Sequence, residues 1–229
     1  MRRLVVAWLL ALASGGCGLI SSDVTETKFD LPSRSYSFDS AAFNVPTGFS
    51  QPIPCGPTQI VMDCCNPPIG AAPDCNANKI ACEQDENGMD VCTVTVLVSQ
   101  SQMMNLGQEV SSLNSFTGYV NITIKRISYK VDVNTLNLNV PDVTLYLAPA
   151  GVTDTMNGAM VFGTLPAIAA GTTPMGDVVL NRNAEAVVKT YTSNIQNPFN
   201  FIAETKVKVS KSPTGKIDLT ISGQLAASL

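Results

Sequence analysis

The chain has 229 residues and a formal net charge of −4 at neutral pH. It contains no histidine, which excludes serine–histidine and cysteine–histidine catalytic sites and any histidine general base. A mildly acidic chain also lacks the basic surface with which proteins bind nucleic-acid phosphates, so we expect no nucleic-acid partner.

Residues 1–16 have the features of an export signal. Two arginines follow the first methionine, residues 4–12 form an unbroken apolar run, and small residues lead up to Cys17. The apolar run is too short for a membrane-spanning helix, which needs ~20 residues. The sequence therefore predicts a signal peptide that is removed on export.

The four residues Ser14-Gly15-Gly16-Cys17 resemble the lipobox of bacterial lipoproteins. Gly15 and Gly16 match the two small positions of that motif, whereas Ser14 stands where the family usually has leucine. The resemblance implies cleavage before Cys17 and lipidation there, with acyl chains such as palmitate on its sulfur and on the new amino terminus. Two or more chains hold a protein stably on a membrane.

The implied partner is therefore the membrane, and the implied location is the cell envelope. Gly18 is not the aspartate that often marks inner-membrane retention in related envelopes, which favours the outer membrane. The alternative is an ordinary signal peptide cut nearby, which would leave a secreted soluble protein. We expect residues 17–27 to form a lipidated tether and residues 28–229 to fold as a single domain.

The first part of that domain reads as a strand. Phe29 and Leu31, then Tyr36 and Phe38, alternate with polar residues, and Pro32 favours an edge position. The aromatic residues of this region are predicted to lie in the core, with a ligand groove as the alternative; they are Tyr36, Phe38, Phe43 and Phe49.

A cysteine-rich insertion spans residues 55–92. It holds six cysteines, an even number once Cys17 is set apart: Cys55, Cys64, Cys65, Cys75, Cys82 and Cys92. In an exported chain this predicts three disulfides whose connectivity the sequence leaves open, except that neighbours Cys64 and Cys65 should bond to different partners. Without a Cys-x2-Cys pair or a histidine, we expect no metal site.

An acidic cluster surrounds Asn87-Gly88 within this insertion. Its members are Glu83, Asp85, Glu86 and Asp90. Calcium sites use such oxygens, but the spacing is not that of an EF-hand. A turn with Asn-Gly at its tip is the simpler interpretation.

The remaining chain alternates in short runs that predict strands. These runs are residues 94–98, 119–133, 142–148, 159–165, 177–180, 199–210 and 216–226. The last two are predicted to pair through a hairpin turn at residues 211–215. Met103 and Met104 are predicted to fill the core rather than to bind metal.

One helix is predicted near residues 183–195, because apolar residues recur there at helical spacing: Ala184, Val187, Val188, Tyr191 and Ile195. Asn181 or Asn183 is the expected cap, and Pro198 prevents continuation. A weaker helical turn is expected within residues 105–113.

These elements predict a mainly β fold, an antiparallel β-sandwich of Ig-like or LEA-like type. The order of elements from about residue 117 to 227 resembles the LEA-type (water-stress and hypersensitive response) sandwich. That resemblance implies a ligand-binding or stress-protective module.

Candidate catalytic groups are confined to scattered carboxylates: Asp132, Asp142, Asp154, Asp177, Glu185, Glu204 and Asp218. A pair of them at suitable spacing would allow glycoside hydrolysis. Most fall at strand ends or on polar positions of strands, as surface residues do. We therefore expect no enzymatic activity and no cofactor, and a non-catalytic binding or structural role toward an envelope protein or surface ligand, with a carboxylate-dependent hydrolase as the alternative.

Overall fold

A computed structural model describes residues 26–45, 47–49, 51–56, 62–65, 80–85, 88–115 and 121–228. The strands are β1 (Thr27–Asp39), β2 (Ile80–Gln84), β3 (Asp90–Met104), β4 (Asn121–Asn134), β5 (Val143–Pro149), β6 (Met160–Leu165), β7 (Met175–Asp177), β8 (Val179–Leu180), β9 (Phe199–Val209) and β10 (Lys216–Ser228). The α-helices are α1 (Met62–Cys65), α2 (Leu106–Glu109) and α3 (Ala184–Thr192), and short 3-10 turns span Ser40–Phe43, Thr47–Phe49 and Ser111–Ser115.

The described strands form two antiparallel sheets, which confirms the predicted β-sandwich. One sheet has the order β1-β10-β4-β7 and the other the order β2-β3-β9-β5-β6-β8. In the long strands, alternate residues point into the space between the sheets, and most of these are apolar. Phe38, Ile217 and Leu219 from the first sheet meet Val98 and Ala203 from the second in this core.

Strand β1 lies at the edge of the four-stranded sheet, where its proline is tolerated. Its pairing with β10 shifts register between Leu31 and Arg34, on either side of Pro32. Proline lacks the N–H that a central strand needs, so a bulge on an edge strand accommodates it. The predicted strand and its edge position are both confirmed.

Strand β4 changes the face that it presents to the core. Ile122 is buried, but beyond Lys125 the buried positions become Ile127, Tyr129 and Val131. The pairing with β10 skips Lys125, so that residue is the extra one of a bulge. The simple alternation predicted over residues 119–133 is therefore interrupted at Lys125, and residues 119 and 120 lie outside the described residues.

Strands β9 and β10 do not pair, and the predicted hairpin is wrong. Strand β9 lies between β3 and β5 in the six-stranded sheet, whereas β10 lies between β1 and β4 in the other. The connection at residues 211–215 does turn, with Gly215 at a φ of 92°, but it crosses from one sheet to the other. Turn composition marks a reversal of the chain without specifying which strand becomes the neighbour.

The predicted helix is confirmed as α3, which ends at Thr192. Its buried residues, Val187 and Val188 among them, pack against the core. The side chain of Asn183 makes no capping hydrogen bond. Instead, Asn181 Oδ1 accepts the N–H of Asn183 at 3.0 Å. The weaker turn is confirmed as α2, capped by Asn105.

Two methionines that were predicted to share the core are separated by strand alternation. Met104 is buried, whereas Met103 is 64% exposed on the outer face of β3, so the prediction for Met103 is wrong. The four aromatic residues of the first region, in contrast, are all buried as predicted: Tyr36, Phe38, Phe43 and Phe49. Adjacent residues of a strand point to opposite faces, so Met103 and Met104 cannot both be inside.

The cysteines of the insertion form disulfides, as predicted, and these join residues 55 and 64 to the hairpin of β2 and β3. Cys55 bonds to Cys82 and Cys64 to Cys92, with Cα–Cα distances of 6.0 and 5.4 Å. Cys65 is disulfide-bonded as well, and Cys75 lies outside the described residues. Cys64 therefore does not bond to its neighbour Cys65.

Candidate binding cleft

A cavity lined by described residues lies on the outer face of the six-stranded sheet, where β5 and β9 pair. Its volume is about 460 Å³, within the range of ligand sites. It is lined by Pro141, Asp142, Thr144, Tyr146, Ala167, Glu204, Thr205 and Lys206. Two further cavities lie in the apolar core and measure only about 20 and 30 Å³, which is too small for an organic ligand.

Strand register brings the polar side chains of the cleft together. Thr144 lies directly opposite Glu204, and Tyr146 lies opposite Ile202. Lys206 follows Glu204 on the same face of β9, because side chains repeat every second residue along a strand. The hydroxyl of Thr205 points elsewhere and donates to the backbone oxygen of Asp142 at 3.1 Å, which holds the beginning of β5.

Glu204 is the unusual residue of the cleft, since it is a carboxylate with only 9% exposure. Its Oε2 accepts a hydrogen bond from Thr155 Oγ1 at 2.8 Å. No described residue donates a hydrogen bond to Oε1, which is not a buried unpartnered atom and therefore reaches the open space of the cleft. Oε1 is thus an acceptor that is accessible to a donor on a bound ligand.

The connection between β5 and β6 is hydrogen-bonded to β9 beside the cleft. Asn200, on the same face of β9 as Glu204, donates from Nδ2 to the backbone oxygen of Val152 at 2.7 Å. Thr155 of the same connection donates to Glu204. Two polar residues of β9 therefore hold this connection, and Ile202, which lies between them on the same face, is fully buried.

Tyr146 has a raised pKa. Burial is the largest cause, the nearby negative charge of Glu204 adds to it, and a hydrogen bond with the Thr144 side chain opposes it. The phenol is consequently neutral at physiological pH and offers a hydroxyl next to two other oxygen-bearing side chains. The cleft thus combines carboxylates, hydroxyls and, at Lys206, one ammonium.

The seven candidate carboxylates separate into different surroundings. Asp142 and Glu204 line the same cleft. On the outer face of the other sheet, Asp132 and Asp218 bind Lys130 and Lys216 at 2.7 and 2.6 Å. The others lie apart: Asp154 accepts the N–H of Met156, Asp177 pairs with Arg126, and Glu185 lies in the first turn of α3.

The acidic cluster of the insertion forms a turn. Asp85 Oδ1 accepts the N–H of Met89 at 2.9 Å, and Gly88 adopts a φ of 75°. Glu83 pairs with Lys208 at 2.6 Å. Glu86 and Asn87 lie outside the described residues. A turn between Asp85 and Met89 is confirmed by the hydrogen bond from the N–H of Gly88 to the backbone oxygen of Asp85 at 3.0 Å and by the left-handed conformation of Gly88.

Among the described residues, the one group with metal-like proximity consists of Cys55, Cys64 and Cys92. Their sulfurs are engaged in disulfides and therefore offer no thiolate to a metal. The expectation that no metal is bound stays a prediction. The predicted lipidation site, Cys17, lies outside the described residues, as does most of the predicted tether.

Within the part of the chain that is described, no helix is long and apolar enough to cross a bilayer. No family model matches the chain, and no curated protein matches it. The LEA-type resemblance therefore stays a prediction.

Several solved structures resemble parts of it. A chain of turnip yellow mosaic virus is 12% identical, with 59% of this chain and 80% of the viral chain covered and a TM-score of 0.27. A structure of carbohydrate-binding modules from the β-sandwich superfamily is 6% identical, with 87% and 56% covered and a TM-score of 0.27. TM-scores this low carry no argument about function.

Sequence reasoning identified only part of the cleft. It singled out Asp142 and Glu204 as two of seven scattered acids but had no reason to join them or to add Thr144, Tyr146 and Lys206. One signal was present: residues 199–205 are apolar at most positions, with Glu204 interrupting the run. An acidic residue in such a run indicates a carboxylate that is buried on a covered face.

Proposed function

We propose that the chain is a lipid-anchored lipoprotein of the bacterial envelope. Its sandwich binds a ligand in the cleft between β5 and β9 and catalyses no reaction on it. The observation that carries the binding role is Glu204, a mostly buried carboxylate with Oε1 left to accept a hydrogen bond. The pattern that supports the anchor is the signal-like segment ending at Cys17.

The polar side chains of the cleft favour a ligand rich in hydroxyl groups. Asp142 and Glu204 outnumber Lys206, so the cleft is net negative and disfavours an anion. Hydroxyl groups donate to carboxylates and accept from an ammonium or a phenol, so they satisfy every polar side chain of the cleft. The cavity of about 460 Å³ has room for a ligand of several such groups.

The anchor is tested in a bacterial host that lipidates exported proteins. Wild-type protein should fractionate with membranes, and its intact mass should include acyl chains on an amino-terminal Cys17. The Cys17→Ser variant should accumulate as an unprocessed precursor or appear in the soluble fraction, whereas Ser21→Ala should behave as wild type. An unmodified mature amino terminus in the wild type would overturn the anchor.

The cleft is tested with neutral oligosaccharides as hydroxyl-rich probes, added to the isotope-labelled protein from residue 26 onward while NMR shifts are recorded. Shifts should concentrate at Thr144, Tyr146 and Glu204. Loss of a hydrogen bond to a charged group costs about 1.5–3 kcal/mol, so Glu204→Gln should weaken binding by roughly tenfold or more. Glu185→Gln, on α3, is the matched control. Shifts that avoid the cleft would contradict the proposed site.

A carboxylate-dependent hydrolase is the second candidate, because Asp142 and Glu204 share one cleft. Incubating the protein with the same oligosaccharides and assaying new reducing ends separates the two functions. We expect none to form. Production of reducing ends that Asp142→Asn and Glu204→Gln both abolish would replace the binding role with catalysis.

A further inference from the structure

The two described disulfides lie against one another. The sulfur atoms of Cys55, Cys64 and Cys92 all lie within 4.8 Å of each other, although Cys55 belongs to one bridge and the other two belong to the second. A thiolate released from the first bridge would therefore lie beside both sulfurs of the second. Disulfides isomerise when a thiolate attacks a neighbouring disulfide sulfur.

Strand register offers a different partner to the two cysteines of the hairpin. Cys82 lies directly opposite Cys92 in the pairing of β2 with β3. The N–H of Cys92 donates away from β2, to the backbone oxygen of Ile53 at 2.8 Å. The two cysteines therefore form a non-hydrogen-bonded pair, whose Cα atoms lie about 4.5 Å apart in antiparallel sheets. That separation is suitable for a direct disulfide.

We propose that these four cysteines form a thiol–disulfide exchange site, at which an external thiol converts the pairs Cys55–Cys82 and Cys64–Cys92 into Cys55–Cys64 and Cys82–Cys92. The external thiol enters at the Cys55–Cys82 bridge, because Cys82 is partly exposed whereas Cys64 and Cys92 are fully buried. Accessibility governs which disulfide an incoming thiolate reaches.

The exchange is balanced and needs no net oxidant or reductant. The external thiolate attacks Cys82 Sγ, forms a mixed disulfide and releases the Cys55 thiolate. The Cys55 thiolate attacks Cys64 Sγ, which forms Cys55–Cys64 and releases the Cys92 thiolate. That thiolate attacks Cys82 Sγ, forms Cys82–Cys92 and expels the external thiol, which is therefore a catalyst.

The exchange would change how the insertion is attached. In the described pairing, each hairpin cysteine holds a cysteine of the segment that contains residues 53–56 and 62–65. In the exchanged pairing these two bridges no longer join that segment to the hairpin. Hydrogen bonds of residues 53 and 55 to β3, at 2.8 and 3.0 Å, and the burial of Ile53 would then be its main attachments among the described residues.

Peptide mapping tests the proposal on the purified oxidised protein, with a trace of reduced glutathione as the thiol. After acid quenching and alkylation, trypsin with Asp-N protease places Cys55 in residues 39–62, Cys64 in 63–73, Cys82 in 80–84 and Cys92 in 90–125. We expect a linked 80–84 and 90–125 pair to appear with glutathione and to be absent without it. Recovery of only the original pairs or their reduced forms would overturn the exchange.

Two single variants test the same chemistry without added thiol. Cys64→Ser leaves the Cys92 thiol beside the first bridge and should yield Cys82–Cys92 with Cys55 as the free thiol. Its matched partner, Cys92→Ser, should yield Cys55–Cys64 with Cys82 as the free thiol. If both variants retain Cys55–Cys82 as the bridge, the sulfurs do not exchange and the proposal fails.

Discussion

At the scale of single residues, glycine is needed where the backbone adopts a left-handed conformation or passes close to another segment. Gly215 begins the entry into β10 with a φ of 92°, and a Cβ built there would lie 2.0 Å from the backbone oxygen of Thr135. Gly171 also has a positive φ, of 67°, but a Cβ there would meet nothing within 4 Å. A substitution at Gly171 therefore carries only the cost of a left-handed conformation, whereas one at Gly215 also carries the cost of a collision with the backbone of Thr135.

We expect Gly215→Ala to destabilise the protein much more than Gly171→Ala. The left-handed conformation alone costs about 1–2 kcal/mol for an L-residue. A collision with backbone adds to that, so Gly215→Ala should cost roughly 3 kcal/mol or more. Chemical denaturation of both variants measures the difference, and equal losses would show that the connection at residue 215 relaxes freely.

Acid should weaken the outer face of the four-stranded sheet. Hydrogen bonds from Lys130 and Thr220 lower the pKa of Asp132, and those from Lys216 and Ser37 lower the pKa of Asp218, in each case below the ordinary 3.8. Folding therefore favours the deprotonated carboxylates. Their stabilisation is complete above pH 3.8 and is lost as the pH falls through the lower values of the folded protein.

The Lys216→Met variant should raise the pKa of Asp218 toward 3.8. The substitution removes the hydrogen bond from Lys216, which is the largest cause of the lowered pKa. An NMR titration of the Asp218 carboxyl carbon measures this change. Lys211→Met, in the connection before β10, removes the same charge and should leave Asp218 unchanged. If Asp218 titrates identically in the wild type and in Lys216→Met, Lys216 is not the cause of the lowered pKa.

At the scale of elements, side chains of β3 hold the edge strand β1. Gln100 Nε2 donates to the backbone oxygen of Ser37 at 2.5 Å, and Gln102 Nε2 donates to that of Ser35. These bonds join the two sheets at one side of the sandwich, since β1 and β3 belong to different sheets. They also occupy carbonyls on an edge that would otherwise be open to pairing with another chain.

Replacing both glutamines by methionine should loosen β1. Each hydrogen bond contributes about 1 kcal/mol, so Gln100→Met with Gln102→Met should cost about 2 kcal/mol and increase amide exchange along β1 before the rest of its sheet. Ser99→Ala with Ser101→Ala, on the outer face of β3, is the matched control. Unchanged exchange in β1 would show that pairing with β10 alone holds the edge.

At the scale of the molecule, the cysteine-bearing hairpin and the start of β1 lie at opposite ends of the sandwich. Strand β1 begins at Thr27, opposite Ala227, and ends at Asp39, opposite Lys216. The cysteine-bearing hairpin joins the sheet near Val209, which precedes Lys216 by one connection. Thirteen strand residues span about 40 Å, so the disulfides lie about that far from the residue at which β1 begins.

Reduction should destabilise the protein without removing the sandwich. Each disulfide contributes about 2–4 kcal/mol, whereas most of the buried core lies in strands β3 to β10, outside the insertion. We expect a strong reductant to lower the midpoint of chemical denaturation. Without denaturant, the reduced protein should keep its β-type circular dichroism. The oxidised protein is the control, and loss of that signal on reduction alone would contradict the expectation.

Local sequence was enough to predict most of the strands, the helix at residues 184–192, the turn at Gly88 and the disulfide bonding, because each depends on a short period or on residue chemistry. It did not predict β2, which lies within the cysteine-rich insertion. Tertiary structure alone decided three other features. These are the pairing of the cysteines, the placement of β9 and β10 in different sheets, and the presence of Asp142 and Glu204 in one cleft. Alternation tells which side of a strand is buried, but its neighbours depend on packing between segments far apart in the chain. In the sequence around Lys125, the apolar residues switch from even to odd positions. Only the register with β10 identifies this switch as a β-bulge.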